Sequence, residues 1–579
     1  MASRWRTLFA QAHEAVHQAA HQSFIKRIMA ILTSSAQSRS FTISANICDV
    51  VTGEIFPGTV VVRQGRVASV TRSQGEFSTY LMPGFVDAHV HIESSMLVPS
   101  EFARVAVIHG TVATVSDPHE IANVLGVAGV EYMIENGKKV PFKFNFGAPS
   151  CVPATSFETA GATIGVEETA QLLDKAEIRY LSEMMNYPGV LHSDPEVMAK
   201  IAAAHQRSKP VDGHAPGVRG EAIRTYVAAG ITTDHECFQL DEAQEKLELG
   251  MKILIREGSA AKNFDALHPI LANHANRCMF CSDDKHPDDL VLGHINHHVR
   301  RAVELGYDRM SMIRCATLNP VRHYQLDVGL LQPGDPADFI EVANLDDFSV
   351  LRTWIEGRLV AESGATRIAS VPVIPVNNFR PNLVSPSDFA LPDRGGRINV
   401  IEAVDGQLVT NRLVMEPTVR NGMIVADPEL DILKIAVVNR YRPAPVSVGF
   451  IKNFGLKQGA IAGSVAHDSH NVLAVGTTDQ ELADAINMVM EQRGGLALVA
   501  QGIQSVLPLP VAGLMSAGDA WNVANQYSNL VQQTRQLGTT LHSPFMTLSF
   551  MALLVIPKLK LSDLGLFDGE KFGMIGLQG

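Results

Sequence analysis

Between about residues 81 and 330, short apolar segments alternate with longer segments of helical periodicity, and this alternation constrains the fold more than any other feature. Alternation of this kind is typical of parallel βα units. Eight such units in one stretch of this length predict a single TIM-like (β/α)8 barrel. The eight predicted strands end near His89, Ser116, Phe146, Glu183, His214, His235, Glu257 and Asp283.

The segments on either side of this stretch predict further domains. Residues 41–80 and 331–370 show short alternating strands separated by turn residues, so we expect the two parts of one small composite β-sandwich domain. Residues 371–395 are rich in proline and asparagine and are interpreted as a linker. Residues 396–579 predict a mixed α/β domain. Residues 1–40 form an N-terminal extension with roughly helical spacing of apolar residues.

Metal-ligating side chains occupy several of the predicted strand ends. The segment Pro83–His91 predicts a buried strand that leads into His89 and His91, two histidines spaced so that both rings leave the same face. Two neutral imidazoles in this arrangement can hold one divalent ion. Because the carboxyl ends of parallel barrel strands meet at one rim, the remaining strand-end ligands are expected to converge there. Those ligands are Glu183, His214, His235 and Asp283.

Six nitrogen and oxygen ligands are more than one open catalytic ion needs. They suit two ions that share a bridging carboxylate and a hydroxide. Paired ions lower the pKa of the bridging water, and a neighbouring carboxylate can take and return its proton. The pattern therefore predicts hydrolytic attack on a C–N or C–O bond.

The order of these ligands along the chain resembles that of the amidohydrolase superfamily. The sequence motifs around them are similar to those of its bacterial-type adenine deaminase branch. The resemblance covers about residues 41–579. It is carried by PGFVDAHVHIESS (83–95), SDPHE (116–120), SEMMN (182–186), GHAPG (213–217), TDHE (233–236), CSDD (281–284) and GSVAHDSHN (463–471).

This resemblance implies roles for individual residues. His89 and His91 are expected on one metal, His214 and His235 on the second, and Glu183 as the bridge. Asp283 is expected as a further metal ligand and the catalytic acid/base. The implied cofactor is a binuclear centre of Mn(II) or Fe(II), with Zn(II) also compatible. The implied reaction converts adenine and water to hypoxanthine and ammonia, as in purine salvage.

Several neighbouring polar residues allow more than one interpretation. One such group is Asp117, His119 and Glu120. Its alternative roles are contact with the substrate, support of a metal ligand, binding of an extra metal ion, and capping of a loop. The C-terminal loop that carries His467 and His470 either reaches across the barrel or forms a solvated turn. Spacing alone does not choose between the adjacent acids at 283 and 284, although the resemblance favours the first. The residues expected to contact substrate or support the ligands are Glu93, Ser94, Asp117, His119, Glu120, Asp284, His467 and His470.

The composition limits the kinds of partner and the cellular environment that we expect for this protein. The formal charge of −12, from 48 basic and 60 acidic residues, argues against a nucleic-acid backbone as partner. The longest apolar run near the C-terminus, 551–556, is too short to span a bilayer. Six scattered cysteines, including the Cys278/Cys281 pair, are interpreted as reduced core thiols of a cytoplasmic protein.

The expected partner is a small-molecule substrate, adenine, and the resemblance implies a homo-oligomer, in the simplest case a dimer. Two alternatives remain at this stage. One is an amidohydrolase that acts on a cyclic amide or another aminated heterocycle. That alternative is weakened because Glu183 stands where many superfamily members have a carbamylated lysine. The other is a catalytically inactive scaffold, which is weakened because no expected ligand is missing.

Overall fold

The predicted barrel is present in the computed structural model, which describes residues 39–578. The interpretation of the first 38 residues as an extension lies outside the described part of the chain. Five parallel strands and three further parallel strands form two hydrogen-bonded groups. Single β-bridges between Val211 and Ile231 and between Val90 and Asp283 join these groups into a closed ring. The barrel strands are Phe85–Val90, Thr111–Ser116, Lys143–Ala148, Ile178–Met184, Val211–Gly213, Thr233–Asp234, Lys252–Arg256 and Cys278–Cys281.

Helices follow the barrel strands around the outside, mostly where helical periodicity predicts them. The spacing of apolar residues over 121–136 predicts one helix there. The structure has two instead, because Gly126 adopts a φ of 63° and interrupts the helical backbone. Short helices such as Tyr187–Leu191 escape prediction because so few residues carry no clear period. The barrel helices are Pro99–Ala106, His119–Leu125, Val127–Gly137, Val166–Leu173, Tyr187–Leu191, Pro195–Gln206, Gly220–Ala228, Leu240–Glu248, Phe264–Leu267, Leu271–His274, Pro287–Leu292, Ile295–Glu304, Arg309–Cys315 and Leu318–Tyr324.

The two β segments that flank the barrel join in one eight-stranded sheet. Tyr80–Pro83 pairs antiparallel with Phe339–Val342, which connects the early strands to the late ones. A separate apolar core, which includes Ile47, Phe339 and Trp354, lies against this sheet. In spatial order the strands are Ala365–Thr366, Arg358–Glu362, Val350–Ile355, Phe339–Val342, Tyr80–Pro83, Phe41–Asp49, Glu54–Arg63 and Arg66–Arg72.

The C-terminal region is built on a second eight-stranded sheet and packs against the barrel. Helix Asp479–Glu491 covers one face of this sheet, and helix Ala520–Gln536 contacts both the sheet and the barrel helix Pro287–Leu292. No helix among residues 39–578 is both long and apolar enough to cross a membrane. The sheet strands are, in spatial order, Asn411–Met415, Ile398–Glu402, Ser447–Lys452, Ile432–Val438, Val472–Gly476, Ala460–Gly463, Gly495–Ala500 and Ile503–Pro508.

Smaller elements complete the region. The short strands Leu391–Pro392, Val419–Arg420 and Met423–Ile424 form one three-stranded sheet. Helix Pro544–Ser549 precedes a second three-stranded sheet near the end of the chain. Its strands are Leu559–Ser562, Gly565–Asp568 and Gly573–Ile575.

Candidate metal centre

The first and last barrel strands bring two histidines and an aspartate together at the carboxyl ends of the strands, here called the barrel mouth. The amide of Asp283 donates to the His89 carbonyl over 2.9 Å, and the His91 amide donates to the Asp283 carbonyl over 3.3 Å. His89 Nε2 and His91 Nε2 lie 3.1 Å apart. Strand Phe85–Val90 is buried along its whole length, and His89 and His91 are both buried.

The side chain of Asp283 is turned directly onto these two rings. Its Oδ1 atom lies 3.3 Å from His89 Nε2 and 3.2 Å from His91 Nε2. Arg256 NH1 donates to the other oxygen, Oδ2, over 2.9 Å. The backbone of Asp283 has a φ of 53°, a left-handed conformation that is uncommon outside glycine and that concentrates at functional sites.

Glu183 lies between two pairs of histidines and faces each pair with a different oxygen. Its Oε1 atom is 3.2 Å from His91 Nε2 and 4.0 Å from His89 Nε2. Its Oε2 atom is 2.6 Å from His214 Nδ1 and 3.2 Å from His235 Nε2. A carboxylate placed in this way can contribute one oxygen to each of two neighbouring ions.

The donors fit a divalent metal centre. Two nitrogen or oxygen atoms bound to one ion lie about 3.0–3.5 Å apart, and most separations around His91, Asp283 and Glu183 fall in this range. The 2.6 Å contact between His214 and Glu183 is a hydrogen-bond distance, and His214 Nε2 has no hydrogen-bond partner in this part of the chain. Imidazole and carboxylate donors suit Mn(II), Fe(II) and Zn(II).

Electrostatics favour the ionised form of both carboxylates. Burial raises the pKa of Glu183, but the charges of His214 and His235 outweigh it and hold the pKa well below its usual range. For Asp283, burial is likewise outweighed by Arg256 and the hydrogen bonds from His89 and His91, so its pKa is also well below the usual range. Ionised carboxylates are what metal ligation requires.

The C-terminal loop reaches the barrel mouth and contacts Glu120 from two sides. His467 Nδ1 contacts one carboxylate oxygen of Glu120, and His470 Nε2 contacts the other. His119 Nε2 lies 3.4 Å from Glu120 and 3.7 Å from Asp468. All five side chains are buried, so the loop is part of the protein interior and not a solvated turn.

Three other predicted residues lie beside the centre without lining its cavity. Glu93 accepts a hydrogen bond from the Ile121 amide over 3.2 Å, near the start of helix His119–Leu125. Ser94 Oγ donates to Asp284 Oδ1 over 2.5 Å, and Asp284 itself lines the cavity. Asp117 Oδ2 lies 3.0 Å from His119 Nδ1. These contacts position neighbouring side chains.

Sequence reasoning missed Arg256 and Glu236. Two guanidinium nitrogens of Arg256 contact the Glu236 carboxylate, and one also donates to Asp283. The sequence did contain one signal for Arg256: it is a lone arginine at the end of an apolar strand, next to the predicted strand end at Glu257. The cavity is also lined by Leu408 and Leu553, two apolar side chains from the C-terminal region. No local sequence pattern predicts that they lie there.

Comparison with known proteins matches both parts of the chain. Residues 80–360 match the amidohydrolase family, and residues 407–573 match the adenine deaminase C-terminal domain. An adenine deaminase of Salinibacter ruber is 56% identical over 93% of this chain and 98% of its own length. Adenine deaminases of Sulfurovum sp. and Methanosarcina mazei are 54% and 50% identical, each over 92% of this chain and 98% of the relative.

Proposed function

Because this chain belongs to the adenine deaminase family, we propose that the cluster at its barrel mouth hydrolyses adenine to hypoxanthine and ammonia. The observation that carries this proposal is the position of Glu183, which presents one oxygen to His91 and the other to His214 and His235. That arrangement of donor atoms suits a pair of divalent ions. Such a pair can activate water for hydrolytic attack on a ring carbon.

The proposed ligands divide into two sets around Glu183. His89, His91 and Asp283 would hold one ion, and His214 and His235 would hold the other. The donor chemistry leads us to propose Mn(II) or Fe(II), with Zn(II) compatible. When bound, such a pair lowers the pKa of water enough for attack on C6 of adenine near neutral pH.

A side chain of the protein carries out the proton transfers that accompany attack on the reacting carbon. Asp283 is the proposed acid/base: one carboxylate oxygen takes a proton from the attacking water and delivers it to the leaving amine or to the ring. Arg256 holds the other oxygen of Asp283 and fixes the direction of the carboxylate. Glu120, held between His467 and His470, faces the same cavity and is proposed to bind a polar edge of the purine.

The C-terminal wall of the cavity is proposed to exclude water. Leu408 and Leu553 present apolar surface opposite the histidines, where a planar ring can pack. The cavity has a volume of about 20 Å³, which is less than a purine needs. We therefore expect this wall to move when the substrate enters.

Product analysis with paired substrates tests the proposal. Metal-loaded protein is incubated with adenine or with hydantoin, a cyclic amide, and ammonia and hypoxanthine are measured. We expect equimolar ammonia and hypoxanthine from adenine and no hydrolysis of hydantoin. Turnover of hydantoin with inert adenine would assign the centre to another amidohydrolase reaction.

Three broader proposals accompany this one. The six cysteines are all free and buried, which suits a reducing compartment, and we propose the cytoplasm. We also propose that the conversion of adenine to hypoxanthine serves purine salvage. A homodimer is proposed from the family resemblance, and sedimentation of the full chain measures it.

A further inference from the structure

A second cleft lies at the opposite end of the barrel from the metal centre. It has a volume of about 480 Å³ and is lined by three basic side chains, Lys252, Arg314 and Arg322, together with His323 and Asn276. Lys252 is the first residue of the strand that ends at Arg256 in the barrel mouth. Four residue-to-residue steps along the strand place the two about 13 Å apart, so the cleft is distinct from the proposed catalytic cavity.

Within the described part of the chain, the basic groups in this cleft have no carboxylate partners. None of Lys252, Arg314 and Arg322 forms an ion pair within residues 39–578, and no acidic side chain lines the cleft. By contrast, the buried ammonium of Lys246 is paired with both Asp234 and Glu242. Three unpaired cations in one concavity are unusual in a chain with a net charge of −12.

The ammonium of Lys252 contacts an imidazole and, among the described residues, no carboxylate oxygen. Its ammonium donates to His323 Nδ1 over 2.5 Å, and the other ring nitrogen of His323 lies 3.4 Å from Thr232 Oγ1. Burial and the neighbouring Lys252 lower the pKa of His323 to about 3, so this imidazole is a neutral acceptor. Asp212 also acts on Lys252, but its oxygens accept hydrogen bonds from Tyr324 and Thr233.

The two arginines extend the donor array. Arg314 Nε donates to the Val50 carbonyl over 2.7 Å, which fixes the guanidinium at the wall of the cleft, while Arg322 is exposed at its edge. Fixed guanidinium groups bind phosphoryl oxygens with directed, charge-assisted hydrogen bonds, and a lysine adds a point charge. The volume of the cleft exceeds what one phosphate ion fills.

We propose that this cleft, here called the basic cleft, binds a phosphoryl group, carried either by inorganic phosphate or by a small phosphate monoester. Lys252 and Arg322 are the proposed principal contacts, with Arg314 and Asn276 at the walls. The ligand would sit at the amino ends of the barrel strands, on the face away from the catalytic ligands. This site does not depend on the proposed deaminase reaction.

Equilibrium dialysis of the metal-loaded full chain with radiolabelled phosphate tests the site, at constant ionic strength set with chloride. We expect saturable binding that Arg322→Gln and Lys252→Gln each weaken about tenfold, the effect of losing one charge-assisted contact. Arg394→Gln, which removes an exposed arginine of the C-terminal region, is the matched control and should bind as the unaltered chain does. A parallel titration with ribose 5-phosphate distinguishes the two sources, because tighter binding identifies a monoester and weaker binding identifies free phosphate.

Three results would overturn the proposal. The first is phosphate binding that the Arg322 and Lys252 variants leave unchanged, and the second is no saturable binding at all. The third is displacement of the phosphate by adenine, which would assign binding to the metal centre. Arg322 is exposed, so its replacement is compatible with folding, and thermal unfolding of both variants checks this. Because dialysis needs no turnover, failure of this site and failure of the proposed reaction are separable.

Discussion

Asp283 and Asp284 are neighbours in the sequence, yet their carboxylates meet different partners. Asp283 faces His89 and His91, whereas Asp284 accepts a hydrogen bond from Ser94. We predict that Asp283→Asn lowers kcat for adenine about 10²- to 10⁴-fold, because the amide cannot accept the proton. Asp284→Asn should lower it less. Steady-state kinetics at matched metal content measures both, and a larger loss at position 284 would reverse the proposed roles.

Residue types at strand ends could be predicted, but the direction of each side chain could not. The six proposed ligands stand where a barrel pattern places them, because strand ends are readable from apolar runs. The choice between the two acids depends on the left-handed backbone at Asp283, which no spacing encodes. Arg256 acquires its role only because Glu236 and Asp283 meet it in space.

At the scale of elements, Lys246 on helix Leu240–Glu248 ties together the ends of two barrel strands. Its buried ammonium donates to the Ala215 carbonyl over 2.6 Å, to Asp234 over 2.6 Å and to Glu242 over 2.7 Å. The proposed ligands His214 and His235 stand next to these partners in the chain. Although burial opposes ionisation, Lys246 holds the pKa of Asp234 below its usual range.

Replacing this lysine should destabilise the barrel. Lys246→Met leaves the Asp234 carboxylate buried without a counter-ion, and we predict a loss of about 3–5 kcal/mol in the free energy of unfolding. Urea denaturation monitored by circular dichroism measures it. Lys138→Met, which removes the surface ion pairs of Lys138 with Glu135 and Glu177, is the control and should change stability by less than about 1 kcal/mol. Equal effects of the two substitutions would refute this role for Lys246.

At the scale of the whole molecule, the C-terminal region completes the barrel mouth. His467 and His470 contact Glu120 across 347 and 350 residues of sequence. We predict that His470→Ala lowers kcat/KM for adenine about 10- to 100-fold while metal content stays the same, because Glu120 loses one of its two supports. His542→Ala, at an exposed histidine of the same region, is the control. Unchanged kinetics in His470→Ala would exclude a positioning role.

The large-scale architecture was more predictable than the contacts between its parts. Strand and helix periodicity predicted the barrel and the β segments that join across it, because each pattern is local. The contact of the His467–His470 loop with Glu120 could not be predicted, because two segments so distant in sequence share no local pattern. The same reason explains why Leu408 and Leu553 were not predicted.

Metal content measured together with turnover tests the central claim most directly, because Glu183 is proposed to bridge two ions. Full-length protein and a Glu183→Gln variant are loaded with Mn(II), metal is quantified by mass spectrometry, and ammonia release from adenine is followed. We predict about two ions per chain and turnover for the unaltered protein, and fewer ions with no turnover for the variant. Full metal content and activity in Glu183→Gln would contradict the bridging role and the proposed reaction centre.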